Sequence, residues 1–140
     1  MGARPLILIT GFLGVPQTEW SALRNPSLRF EQTRRAFESM RVAAGESRIL
    51  LALTGDRDEY ERMVRATGAP ADDCHWFRQD DADVPLGKGY LEHQLLLKSI
   101  RQWNLEVENP IVIKLTAKYV VENFQTVFRY ASRIRHPIFG

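Results

Sequence analysis

The sequence predicts an α/β fold: an open, mostly parallel sheet built from alternating β-α units. Three observations carry that expectation. Short apolar runs alternate with longer stretches of helical period, in the order β-α-β-α-β-α-β-α. The first run, LILIT at 6–10, is apolar without alternation, as a strand covered on both faces should be. Glycines punctuate the pattern where helices have to stop, at Gly45 and Gly68.

Each element follows from its own residues. After the strand at 6–10, a helix is expected over 27–44, with Phe30, Thr33, Phe37, Met40 and Ala44 as its inner stripe. RILLALT at 48–54 is the second strand, and Asp56 or Asp58 caps a helix that runs to about Thr67. CHWFR at 74–78 is a short third strand. The loop QDDADVPLGKG then opens a helix over 89–103 that turns Leu91, Leu95, Ile100 and Trp103 inward. PIVIKLT at 110–116 is the fourth strand. A last helix is expected near 120–134, burying Val120, Phe124, Val127, Phe128 and Ala131. The 140 residues read as one α/β domain, and the end at RHPIFG, without a capping element, reads as a domain cut from something longer.

Composition narrows the function classes. With 44% hydrophobic and 26% charged residues the chain is a folding one, and a net charge of +2 demands neither nucleic acid nor membrane while suiting a small anionic ligand. A single cysteine, Cys74, forbids an internal disulfide and a thiolate metal cage, which points to a reducing compartment, the cytoplasm. No stretch approaches the roughly 20 apolar residues of a membrane span. Residues 6–15 lack the small-residue cleavage site of a signal peptide, and Leu6 stands where a myristoylation signal has Ser or Thr.

The loudest motif is LITGFLGVPQT, a strand running into something close to the phosphate cradle G-x-x-x-x-G-K-[ST]. It is similar to the opening of the cobalamin-synthesis-type P-loop GTPases. Pro16, however, occupies the second glycine position and removes an N–H. Gln17 replaces the lysine that holds the β- and γ-phosphates. A degenerate strand–turn is the expected reading, and nucleotide hydrolysis here ranks third among the functional readings.

In open α/β sheets ligands bind beyond the carboxyl ends of the strands. That rim collects Thr10 and Gly11 at the end of strand one, Thr54, Gly55 and Asp56 at the end of strand two, Lys88 and Gly89 at the helix opening, and Lys114 and Lys118 at and after strand four. One acid, several lysines and glycine-rich turns on one edge suit a nucleotide diphosphate, with Asp56 on ribose or base and Lys88 and Lys114 facing phosphate. Four segments in order, RFEQTRRAFESMR (29–41), RILLALTGD (48–56), GKGYLEHQLLLKSI (87–100) and IVIKLTAKYVVENF (111–124), resemble the N-terminal half of GT-A-type glycosyltransferases, especially polysaccharide-related members. The signatures of those members are R-x-x-QT-x-x-x-x-x-SI-R, K-G-Y-x-E and K-[IL]-[ST]-G-R-Y, and the resemblance to them spans about 100 of 140 residues.

The resemblance implies a GT-A or Rossmann-like half that binds a nucleotide sugar, with Arg29, Lys88, Gly89, Glu92, Lys114 and Lys118 on the donor side and Mn or Mg as the possible metal. Ala117-Lys118 departs from the pattern's Gly-Arg, so a bidentate arginine contact becomes a lysine point charge. No Asp-x-Asp follows strand four, and no acceptor half precedes Gly140. Asp81-x-Asp83 spells the metal motif one βα unit early and reads first as a solvated acid run. His93, His136, Ser39 and Cys74 have no partners at catalytic spacing, and Arg129, Arg133 and Arg135 form a solvated face rather than a nucleic-acid stripe. The rival reading is a non-catalytic α/β binding or assembly domain.

Overall fold

The computed structural model describes residues 5–14, 26–79, 84–108, 111–117 and 138–139. In chain order the elements are β1 (Leu6–Leu13), α1 (Pro26–Ala44), β2 (Ile49–Gly55), α2 (Arg57–Thr67), β3 (Cys74–Phe77), α3 (Lys88–Gln102), α4 (Leu105–Glu108), β4 (Val112–Thr116) and β5 (Ile138–Phe139). The sheet order is β3-β2-β1-β4-β5, and every neighbouring pair is parallel. The α/β expectation is met. Chain order runs outward from β1 in one direction through β2 and β3, then in the other through β4, so the order reverses between β1 and β4.

Strand periodicity sorts the core into two layers. Odd-numbered side chains of the central strands, Ile7, Ile9, Leu51, Leu53, Ile113 and Leu115, pack with Phe30, Phe37, Met40 and Ala44 of α1 and Met63 of α2. Even-numbered ones, Leu6, Leu8, Leu50 and Ala52, pack with Leu95 of α3 and Leu105 of α4. Both faces of β1 and β2 are therefore covered, which is why LILIT and ILLALT have no polar alternation. Each fully buried leucine or isoleucine contributes about 1.5–3 kcal/mol of transfer free energy.

Helix ends obey the local chemistry. Asp56 caps α2, its carboxylate accepting from the Glu59 amide at 3.0 Å. Gly68 ends it in the left-handed region at φ +65°, donating to the Val64 carbonyl.

Three features differ from the expectation. β1 continues three residues past Thr10, pairing through Leu13 opposite Gly55, so Gly11 is a strand residue and not a turn. A Cβ on Gly11 would lie 2.9 Å from the Ala117 Cβ and 3.0 Å from Leu53, so its missing side chain admits neighbouring protein. α4 was not anticipated; Asn104, at φ +52°, breaks the chain out of α3 and starts a fresh turn. β5, within the RHPIFG end that reads as having no capping element, pairs beside β4. The helix expected near 120–134 lies outside the described residues.

Candidate functional site

Where strand order reverses, the even-numbered face of β1 and β4 turns polar. Thr10 is directly opposite Thr116, and Leu8 opposite Lys114, so Thr10, Lys114 and Thr116 share the face covered by α3. Glu92, in the second turn of α3, reaches that face. Its Oε2 accepts from the Thr10 hydroxyl at 3.1 Å and from the Lys114 ammonium at 3.1 Å. Lys114 also donates to the Thr116 hydroxyl at 3.2 Å. The side chains of Lys114 and Glu92 retain 13% and 18% exposure, so the pair lies largely inside the α3–sheet layer. Lys114 is therefore ion-paired rather than a free cation on the rim.

Beside this cluster the same face of β1 carries Phe12, about 7 Å further along the strand. Phe12 begins a groove at the carboxyl ends of β1, β2 and β3. Thr54 and Phe77 form its floor, and Leu91, Gln94, Leu95 and Lys98 of α3 its roof. The groove is open to solvent, and its enclosed part has room for about one water. Thr54 donates to the Phe77 carbonyl at 2.6 Å, and Lys98 closes the far side by donating to the Arg78 carbonyl at 2.9 Å. Of these groove residues the sequence marks only Thr54, at the end of strand two, and Leu91 and Leu95, on the inner face of the helix. The available signal was the spacing 91, 94, 95, 98, one helical face that mixes leucines with polar side chains.

The other expected site residues fall as follows. Asp56 is exposed at the end of β2 and spends Oδ1 on its helix cap. Arg29 reaches the end of β1, donating to the Phe12 carbonyl at 3.3 Å, and burial lowers its guanidinium pKa. Gly89 lies in the first turn of α3, where an added Cβ would meet nothing within 4 Å, so no close approach requires it. The Lys88 side chain, Lys118, Asp81 and Asp83 lie outside the described residues, as does the stretch holding Pro16 and Gln17. Gly14, at φ +84°, would bring a Cβ to 2.7 Å from that of Asp56, so the turn after β1 packs directly on the start of α2.

Among the described residues no group of three or more His, Cys, Asp or Glu could hold a metal ion. With Glu92 committed to Lys114 and Asp56 to its cap, these residues do not by themselves make the Mn or Mg site the sequence resemblance implied. Nucleophilic chemistry at Cys74 is opposed by its surroundings, since burial, with Asp73 adding, pushes the thiol up to about 11.

The fold favours the neutral thiol, whereas the unfolded chain ionises near 9.0. Stability is therefore expected to be full below pH 9 and to fall between pH 9 and 11 by about 2–3 kcal/mol. Urea titrations of wild type and Cys74→Ala across that range check this: the fall should be smaller in the variant.

The chain matches no protein-family model, no curated protein and no solved structure. Fold alone does not name a function, so the functional reading rests on the chemistry of this rim. No helix of the described residues is long and apolar enough to cross a membrane.

Proposed function

We propose that this chain is a nucleotide-sugar-binding domain of glycosyltransferase type, with the donor lying across the crevice between β1 and β4. One observation carries the reading. The reversal of strand order, where open α/β sheets bind ligands, coincides with the Thr10–Glu92–Lys114–Thr116 cluster and adjoins an aromatic-floored groove on the same strand. A nucleotide sugar is amphipathic in that sense, with a flat base at one end and hydroxyls and phosphates at the other. In the transfer this implies, an acceptor oxygen attacks the sugar C1 as the bond from C1 to the diphosphate oxygen breaks, and the acceptor proton passes to a base. Arg29, at the end of β1, supplies positive charge near the departing diphosphate, with Lys88 and Lys118 as the further candidates.

Calorimetric titration with UDP, GDP and CMP sugars, with and without Mn²⁺, tests the reading. Heat from at least one donor is expected, and a folded sample silent to all of them removes it.

A second reading, a non-catalytic scaffold, is favoured by a specific observation: Asp56 and Lys114 already have structural partners. Asp56→Ala separates the two. Both readings expect loss of the α2 cap, about 0.5–2 kcal/mol in urea denaturation. Only the nucleotide-sugar reading expects donor affinity to fall as well, by ten-fold or more in the same calorimetric titration.

A further inference from the structure

We draw no further inference here: the strongest candidate, the outer edge of β3, which bears the partly exposed Trp76 beneath the Arg57 guanidinium, is a sheet edge with nothing in the structure to show what covers it.

Discussion

Gly55→Ala is expected to destabilise the domain by about 3–5 kcal/mol, from strain at a positive φ together with overpacking. Gly55 has φ +99°, a region L-residues rarely enter, and an added Cβ would sit 2.2 Å from the Leu13 carbonyl oxygen. The obstacle is backbone, so no rotamer change relieves it. Moving Leu13 also breaks its bond from the Asp56 amide, 3.1 Å long, at the cap of α2. Gly55 is held from its other side as well, where the Trp76 indole donates to its carbonyl at 3.1 Å. Domains of this size have about 5–15 kcal/mol in total, so the variant should lie near the edge of folding. The midpoint of urea unfolding measures this directly, and a loss under 1 kcal/mol would contradict the packing described between the ends of β1 and β2.

Lys114→Met should cost nearly as much, about 2–4 kcal/mol, by leaving the Glu92 carboxylate largely buried without its cation. The usual cost of breaking a buried pair is discounted here because both side chains keep some exposure. The double variant Glu92→Gln, Lys114→Met separates charge from packing. The carboxamide introduced at position 92 still offers an oxygen to the Thr10 hydroxyl, and no charge from the pair remains in the layer. More than half of the loss should return in equilibrium unfolding. If the double variant is as unstable as the single one, the ion pair is not what holds α3 against β1 and β4.

The fold was largely legible because it depends on local rules. LILIT and ILLALT are uninterrupted apolar runs, and only a strand with helices on both faces needs that. Gly68 and Asp56 mark the ends of α2 through their own backbone and side-chain chemistry. The stripe Phe30, Thr33, Phe37, Met40 and Ala44 is buried along α1 as its spacing required. The site was less legible because its determinants are distant in sequence. Gly11 reads as a turn until Ala117 is placed beside it across the sheet. Lys114 reads as a phosphate-facing cation until Glu92, 22 residues earlier, is seen to hold it.

The claim that ligand binding occupies the carboxyl edge at the reversal between β1 and β4 is tested most directly by amide NMR shifts during titration with UDP-, GDP- and CMP-sugars. One donor is expected to shift the amides of Leu13, Gly14, Asp56, Gln79, Thr116 and Ala117 while those of Leu6, Arg48 and Ile111 at the opposite edge stay still. Shifts confined to that opposite edge, or none with any donor, would contradict it.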